Sequence, residues 1–367
     1  MSKTIWEKYA DVLVDYSTNV QKGDIVIIRS EAQAQPLIKA VYEAVLKKGA
    51  YPITKLSIEG LSEIYFKTAT DEQLEYIDPF IKYEYDHADK FISIDAPYNT
   101  KNLTRLPSEK LAKRSSATRP LSDKLLQRAA EGSLSWVICN FPTNALAQEG
   151  KMSLSEYEEF LFNACYLNTD NPVAEWKKIG EKQQKIADYL NTTSKVRYVG
   201  EKTDITFSTA GRKLISCCGI NNFPDGEIFT SPVEDSAEGE IFFDFPQIYR
   251  GNEAQNVYLK LEKGKVIEAH ADKGEEFLLK MINQDEGARF VGEVAIGTNE
   301  MIQDITGNIL FDEKIGGAIH MALGASYPET GGKNTSGLHW DLIKNMKNGG
   351  KIYADDKLIY ENGKFII

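Results

Sequence analysis

The chain has 367 residues, a length that exceeds the usual size of one hydrophobic core and predicts two domains. Hydrophobic residues make up 42% and charged residues 26% of the chain, which is typical of globular proteins and argues against wholesale disorder. The formal net charge of -11 argues against a protein that binds a phosphate backbone, so nucleic acid is not expected as a partner.

The first half of the chain follows the pattern of an α/β domain. An apolar run at 25–28, a helical period in Leu37, Val41, Ala44 and Val45, and a second run at 51–56 predict a βαβ unit. Further apolar runs at 90–94 and 136–139 extend this domain, which we place at 1–195. No glycine-rich phosphate loop follows these strands, so nucleotide binding has no support.

A locally basic segment runs through 101–128, where cationic side chains outnumber Glu109 and Asp123. A solvated helical face is the favoured interpretation, and an anion site is the alternative. The cationic residues are Lys110, Lys113, Arg114, Arg119, Lys124 and Arg128.

No apolar run approaches the roughly 20 residues needed to span a bilayer, and the first residues lack the apolar core of a signal peptide. The sequence therefore predicts a cytoplasmic protein with no membrane partner. The cysteines, Cys139, Cys165, Cys217 and Cys218, are too scattered for a disulfide framework and are expected to be buried thiols.

From about residue 193 the pattern changes to short strands joined by tight turns, after helices predicted at 156–164 and 176–190. Near the end, Asn362-Gly363 favours a type I′ hairpin. The predicted fold class is thus an N-terminal α/β domain followed by a β-rich α+β domain at 196–367.

Only four histidines occur, and His320 and His339 fall in one glycine-rich stretch. On a strand, His339 and Asp341 would project from the same face, while Leu338, Trp340 and Leu342 face the other way. Imidazole and carboxylate together suit Zn, Co or Mn, so this pair predicts half of a metal site. A hydrogen-bonded or surface histidine remains the alternative, and His87 and His270 are expected to be ordinary surface or core histidines.

Two glutamates lie in apolar surroundings in the same half. Glu227 follows a Pro-Asp-Gly turn and precedes Ile228 and Phe229, so its carboxylate is expected to point inward. Glu293 interrupts an apolar strand, where a carboxylate is costly unless it is paired or bound to a cation. An edge strand with Glu293 turned to water is the alternative. A denser acidic run, Glu234, Asp235, Glu238 and Glu240, is expected to be a solvated loop.

At these positions the chain resembles the M29 family, the thermophilic aminopeptidases, which are bacterial dinuclear metallopeptidases. The resemblance covers nearly the whole chain, and GEIFTSPVEDSAEG, VGEVAIG, IHMALGASYPETGGKN and LHWDLI occur in family order. It implies that Tyr327 is the active-site tyrosine and that the protein is a homodimer. It also implies a set of metal ligands: Glu227, Glu293, Glu313, His320, His339 and Asp341.

The resemblance implies a dinuclear aminopeptidase acting on peptides with a free N-terminus. Two divalent ions, Zn, Co or Mn, would lie about 3.5–4 Å apart and activate a water. Glu293 or Glu313 would transfer the proton, and Tyr327 would donate to the oxyanion, unless it is a packing tyrosine at a proline turn. If Glu313 also binds metal, the excess negative charge would favour a cationic group such as the peptide α-ammonium.

Two rival functions stay open on sequence. A metal-dependent hydrolase of non-peptide amides or phosphoesters would use the same kind of site. A noncatalytic binding protein would capture a small ligand with its βαβ domain and hold a structural cation with its acidic residues.

Overall fold

The computed structural model describes residues 3–367. The chain forms two compact units, one comprising Met1–Ala174 with Gly219–Phe223 and the other Glu175–Cys218 with Pro224–Ile367. Within the described residues no helix combines the length and the apolar character that crossing a membrane requires. Elements are numbered along the chain within each class.

The first unit is built on a parallel five-stranded sheet with strand order β2-β1-β3-β4-β8. Its strands are β1 Ile25–Glu31, β2 Tyr51–Ser57, β3 Lys90–Asp95, β4 Ser135–Asn140 and β8 Asn222–Phe223. The predicted βαβ unit is confirmed: β1 and β2 pair in parallel across a helix, Gln35–Lys47, that buries Leu37, Val41 and Val45. Both further predicted strands are present as β3 and β4.

Helices lie before, between and after these strands along the chain. They are α1 Ile5–Asp11, α2 Gln35–Lys47, α3 Leu61–Thr68, α4 Asp71–Glu75, α5 Pro79–His87, α6 Ser108–Ala130, α7 Asn144–Glu149, α8 Leu154–Ala164 and α9 Pro172–Leu190. A π-helix, Val12–Ser17, follows α1, and a 3-10 turn, Ala32–Ala34, precedes α2. The predicted helix at 156–164 begins slightly earlier, because Ser153 and Glu156 form a capping box there.

At three positions of the basic segment, the cationic side chain is neither freely solvated nor part of an anion site, because it donates to a backbone carbonyl. Lys110 donates to the carbonyl of Ala69, Arg114 to that of Tyr76, and Arg128 to that of Ala88. These carbonyls are at the C-caps of α3, α4 and α5, where a cation is favourable beside the negative end of the helix dipole. The cations of α6 therefore stabilise the ends of three neighbouring helices.

The boundary between the units lies at Ala174/Glu175, earlier than the predicted residue 195. The difference arises because Ile186, Ala187 and Leu190 of α9 belong to the hydrophobic core of the second unit. The predicted boundary was at the first strand of the second unit, but α9, which precedes that strand, already packs in the same core.

The second unit holds two antiparallel sheets and a small hairpin. The larger sheet has eight strands in the order β14-β13-β10-β6-β5-β18-β19-β20, and the smaller has five in the order β17-β16-β15-β9-β7. The strands are β5 Lys195–Gly200, β6 Thr203–Ser208, β7 Ile215–Cys217, β9 Glu227–Thr230, β10 Glu238–Phe243, β11 Gln247–Tyr249, β12 Asn252–Ala254, β13 Val257–Glu262, β14 Lys265–His270, β15 Val291–Gly297, β16 Ala318–Gly324, β17 His339–Asn345, β18 Lys351–Ala354, β19 Lys357–Glu361 and β20 Lys364–Phe365.

Two short helices complete this unit: α10 Glu275–Ile282 and α11 Ile309–Asp312, with a 3-10 turn at Pro328–Thr330. The predicted hairpin joins β19 to β20, with Asn362 at φ 50° and Gly363 at φ 83°. Positive φ at both central residues is the requirement of a type I′ turn. The α/β unit followed by a β-rich unit confirms the predicted fold class.

The cysteines are all free thiols, as predicted. Cys139 and Cys165 are buried, but Cys217 and Cys218 are only partly buried, so the prediction of burial is wrong for that pair. Cys217 ends the edge strand β7, which leaves one side of it without a strand neighbour.

Candidate metal centre

The smaller sheet of the second unit has one face on the hydrophobic core and one lined by ionisable side chains. The core face includes Ile228, Val294, Ile296, Ile319, Met321, Leu323, Trp340 and Leu342. Side chains alternate along a strand, so the residues between them point the other way. On that opposite face lie Glu227 of β9, Glu293 of β15, His320 of β16, and His339 and Asp341 of β17. Four adjacent strands thus bring five predicted site residues together.

Small residues lie opposite these side chains on the neighbouring strands. Glu227 pairs with Gly297 and His320 with Ala295. Ala322 of β16 pairs with Glu293 of β15 on one side and with Asp341 of β17 on the other. Directly opposed residues in a sheet are about 4.5–5.5 Å apart, so an Ala or Gly at these positions leaves space beside each longer side chain.

A β-bulge aims Glu293 at the site. The pairing of β15 with β16 shifts register between Val291 and Glu293, and Val291 and Val294 both lie in the core. Regular alternation would put residues three apart on opposite faces, so the extra residue, Gly292, restores the core position of Val291 while Glu293 faces the site. A Cβ on Gly292 would lie 2.1 Å from the carbonyl oxygen of Ala325, which requires glycine there.

The alternative of Glu293 on an edge strand is wrong. β15 lies between β16 and β9 in the sheet, and Glu293 is 4% exposed. Glu227 is 6% exposed, as the inward orientation predicted for it requires.

Both site histidines have one ring nitrogen committed to the backbone. Nδ1 of His320 is 3.1 Å from the carbonyl oxygen of Glu313, and Nδ1 of His339 is 2.9 Å from that of Ala325. A carbonyl only accepts, so in the neutral ring Nδ1 carries the hydrogen and Nε2 is left with its lone pair. This is the arrangement that orients histidine for metal ligation through Nε2.

The Nε2 atoms face carboxylates. His320 Nε2 lies 3.6 Å from Glu227 Oε2, 3.6 Å from Glu293 Oε1 and 4.0 Å from Asp341 Oδ1. His339 Nε2 lies 3.2 Å from Glu293 Oε2 and 3.4 Å from Asp341 Oδ1. The two oxygens of Glu293 therefore face different histidines.

In the absence of metal, these contacts shift the pKa of each group strongly. Burial lowers the pKa of both imidazoles, but the carboxylates outweigh it and raise the pKa of His320 to about 10 and that of His339 to about 12. Burial raises the pKa of Glu227 to about 8, although Lys314 opposes the shift. For Asp341, burial is outweighed by His339 and the pKa falls to about 2. The raised pKa values favour protonated imidazoles beside the carboxylates when no metal is bound.

The side chains fit divalent metal. Oε2 of Glu227 and Oδ1 of Asp341 are buried without a hydrogen-bond partner, which is costly unless a cation is bound there. Three sets of ligand atoms lie within 4.8 Å of one another: Glu227, Glu293 and His320; Glu293, His339 and Asp341; and Glu313, His320 and Asp341. Imidazole nitrogen with carboxylate oxygen is the donor set of Zn, Co and Mn sites.

Glu313 reaches the site from the end of α11, where it is the C-cap residue. The residue after it, Lys314, is fully buried, and its ammonium pairs with Glu313, with Glu227 at 3.3 Å and with Asp225 at 3.9 Å. Lys314 and Asp225 were not predicted from the sequence. The available signal was a lysine between Glu313 and the buried strand β16, a position where a charge requires partners.

Tyr327 lies at the rim of the cluster and is 36% exposed. Its hydroxyl is 3.5 Å from His339 Nε2, and its ring meets those of Phe229 and His339 edge to face. Burial, with Glu293 and Asp341, raises the pKa of Tyr327 far above its ordinary value, so the hydroxyl stays protonated and can donate. Gly331, at φ 91°, closes the turn that follows.

The other singled-out residues lie elsewhere. His87 stacks on Tyr83, and His270 contacts Glu268 and Glu275, both on the surface. Within the acidic run, Glu234 is not simply solvated, because it pairs at 2.6 Å with the buried Arg212 and accepts from the backbone of Lys333.

Comparison with known proteins gives consistent matches over the length of the chain. A family profile described as "Thermophilic metalloprotease (M29)" matches residues 2–365. Aminopeptidase 2 of Geobacillus stearothermophilus is 26% identical, over 95% of this chain and 90% of its own. Aminopeptidase AmpS of Bacillus subtilis is 25% identical over the same shares, 95% and 90%. Aminopeptidase T of Thermus thermophilus is 26% identical over 88% of this chain and 85% of its own. The solved structure of wild-type AmpT from Thermus thermophilus shares the fold, with a TM-score of 0.84, 22% identity and 99% of both chains covered.

Proposed function

Because this chain belongs to the thermophilic metalloprotease (M29) family and is therefore a metallo-aminopeptidase, we propose that it releases N-terminal amino acids with two divalent metal ions. The observation that carries the proposal is the convergence of imidazole and carboxylate ligand atoms on one face of a sheet, with each histidine oriented through Nδ1. The ligands proposed are Glu227, Glu293, Glu313, His320, His339 and Asp341.

Glu293 is proposed as a residue that would hold either ion. Its Oε1 lies 3.6 Å from His320 Nε2 and its Oε2 lies 3.2 Å from His339 Nε2, and Glu293 belongs to the ligand sets of both histidines. Glu227 completes the set around His320, and Asp341 the set around His339. Glu293 belongs to two ligand sets and Glu313 to one, so Glu313 is the proposed general base.

When bound, two divalent ions would polarise the scissile carbonyl and lower the pKa of water toward 7. Glu313 takes the proton of the attacking water and passes it to the leaving amine. The Tyr327 hydroxyl donates to the oxyanion of the tetrahedral species, because it is protonated and lies beside His339 at the edge of the site. The peptide α-ammonium is held among the carboxylates.

The donor set supports Zn, Co or Mn equally, since all three accept imidazole with carboxylate. A cytoplasmic location and the absence of a membrane partner are part of the proposal and rest on the lack of a long apolar run in the sequence. The absence of a nucleic-acid partner rests on the net charge.

A homodimer is also proposed. An apolar surface supports it at the edge strand β2 and the segment after it, where Tyr51 is 63%, Ile53 42%, Leu56 49% and Ile58 65% exposed. Exposed apolar surface on an edge strand is a pairing site for another chain. Sedimentation equilibrium of the wild type and of Ile53→Lys tests this, and a wild type that stays monomeric at all concentrations contradicts it.

Two rival functions receive less support. A hydrolase of non-peptide amides or phosphoesters remains the alternative for the chemistry, since a two-metal site serves those reactions too. The noncatalytic binding protein is disfavoured by the curated aminopeptidases that match most of the chain.

Hydrolysis of Leu- and Arg-p-nitroanilide, measured beside the N-acetylated forms, tests the peptidase proposal. We expect turnover of the free-amine substrates to stop with a chelator and to return with Co or Zn, while the blocked substrates stay intact. Turnover of blocked amides or phosphate esters alone would show that the alternative hydrolase is correct.

A further inference from the structure

We propose that Lys314 is a positioning residue whose side chain supplies a permanent cation beside the metal centre and fills a place that a third divalent ion would otherwise take. The inference rests on the proposed dinuclear site and adds a member to it. Lys314 itself binds neither metal nor substrate.

The ammonium of Lys314 has no contact with solvent and is surrounded by carboxylates. Its side chain is 0% exposed, and it pairs with Glu313, with Glu227 Oε1 at 3.3 Å and with Asp225 Oδ1 at 3.9 Å. Glu227 is thus divided between two partners: Oε1 faces the ammonium, and Oε2 is the buried oxygen without a hydrogen bond, directed at His320. Holding Oε1 leaves Oε2 as the single ligand atom.

The ammonium lies where the chain offers a further set of metal ligands. Ligand atoms of Cys217, Asp225 and Glu227 all lie within 4.8 Å of one another, and two of these residues are the partners of Lys314. A cluster with this donor set attracts a cation, and in this chain the cation is the ammonium of Lys314. Without it, the buried carboxylates of Asp225 and Glu227 and the partly buried carboxylate of Glu313 would lose a cationic partner that they share.

The backbone around Lys314 fixes this placement. Its N–H donates to the carbonyl of Phe311, and its carbonyl accepts from the N–H of Asn299. Gly297 at the end of β15 permits the approach, since a Cβ there would lie 2.3 Å from the carbonyl oxygen of Ile315 and 3.0 Å from the carbonyl carbon of Lys314. A lysine suits the position because its ammonium is a compact point charge with three donors.

The placement changes the charge of the site. Glu313 and Asp225 both add negative charge to that of Glu227, Glu293 and Asp341, and Lys314 offsets one of these two charges. The excess negative charge expected from Glu313 as a sixth ligand is therefore reduced but not removed, which leaves a place for the peptide α-ammonium.

Metal content per chain is the test, measured on Lys314→Ala, on wild type and on Lys344→Ala. Lys344 is the matched control because it is buried too, in β17, but its ammonium contacts the carbonyl of Glu201 and no carboxylate of the site. After equilibration with Co and desalting, we expect Lys314→Ala to hold one more ion than wild type and Lys344→Ala to hold the wild-type number. Propylammonium, which replaces the missing side chain, is expected to displace the additional ion.

Equal metal content in Lys314→Ala and wild type, with and without propylammonium, would overturn the inference. If Lys314→Ala does not fold, Lys314→Ala/Asp225→Asn decides, because it removes one charge of each sign. The inference predicts that this variant folds and holds the wild-type number of ions, and its failure to fold would show that charge is not the role of Lys314. The wild-type number itself tests the dinuclear proposal separately, since the inference concerns only the difference.

Discussion

The Nδ1 atoms of His320 and His339 each donate to a backbone carbonyl, which fixes both the tautomer and the direction of each ring. The acceptors belong to Glu313 and Ala325, so the segments just before β16 and just after it control the orientation of two proposed ligands. Ligand histidines in metal sites are commonly held in this way.

For single residues, the sequence predicts site residues that are close together on one strand, but not those that come from separate segments. His339 and Asp341 are two residues apart on a strand, so their side chains point to the same face, because the side-chain period of a strand is two. Glu227, Glu293 and Glu313 come from separate segments, and no local period relates them to His320. The family resemblance was needed for those, and Lys314 was found only when three carboxylates were seen around it.

Tyr327→Phe tests the role of the hydroxyl. The phenylalanine keeps the ring contacts with Phe229 and His339 but removes the donor, so we expect kcat to fall by about 100- to 1000-fold. Metal content and KM are expected to stay close to wild type. Steady-state kinetics on Leu-p-nitroanilide measures the effect, and an unchanged kcat would make Tyr327 a packing residue.

Among the elements, β15 is the central strand of its sheet and carries the bulge that directs Glu293 at the site. The bulge at Gly292 was not predictable from the alternation of apolar residues, which reads Val291, Glu293 and Ala295 as one face. Val291 instead lies in the core, and only the register of the paired strand shows why.

The small residues opposite the ligands give a prediction for β16. Ala322→Val adds two methyl groups between Glu293 and Asp341, and we expect a strain of about 1–3 kcal/mol to fall on these ligands. Such a strain corresponds to metal binding that is weaker by about 5- to 150-fold. Ala354→Val is the matched control, since Ala354 is also buried in a strand of this unit but away from the site.

Competition with a chelating indicator measures the affinity, and the melting temperature reports the packing cost of both valines. Equal metal affinity in the two variants would show that the space beside Ala322 is not needed for the ions.

For the whole molecule, the sequence was sufficient for the order of the two units but not for the boundary between them. Strand and helix periods predicted β1 to β4 and the β-rich second half, since these patterns are local. The assignment of α9 to the second unit depends on which core buries Ile186 and Leu190, and that is a tertiary property.

The stability of the metal-free protein is expected to fall as pH rises. His320 has a pKa of about 10 against 6.5 unfolded, so its stabilisation is complete below about 6.5 and is lost toward 10. Glu227 has a pKa of about 8 in the folded state against 4.5 in the unfolded state, so its ionisation lowers the free energy of unfolding as pH rises from 4.5 to 8. In both cases the folded state binds more protons, so the two effects have the same sign. Asp341 acts only below about 4, where its stabilisation is lost.

Urea denaturation of chelator-treated and metal-loaded protein between pH 6 and 9 measures this dependence, and Glu227→Gln isolates one contribution. We expect the loaded protein to gain stability relative to the metal-free protein as pH rises, because metal binding displaces protons. A metal-free stability that increases over this range would contradict the electrostatic description of the site.

Metal content and peptidase activity, measured on the same samples of wild type, Glu227→Ala and His339→Ala, test the dinuclear site most directly. We expect two ions per chain in the wild type, fewer in each variant, and activity reduced by at least about 100-fold in both. A variant that keeps its full metal content and full activity would show that the site lies elsewhere.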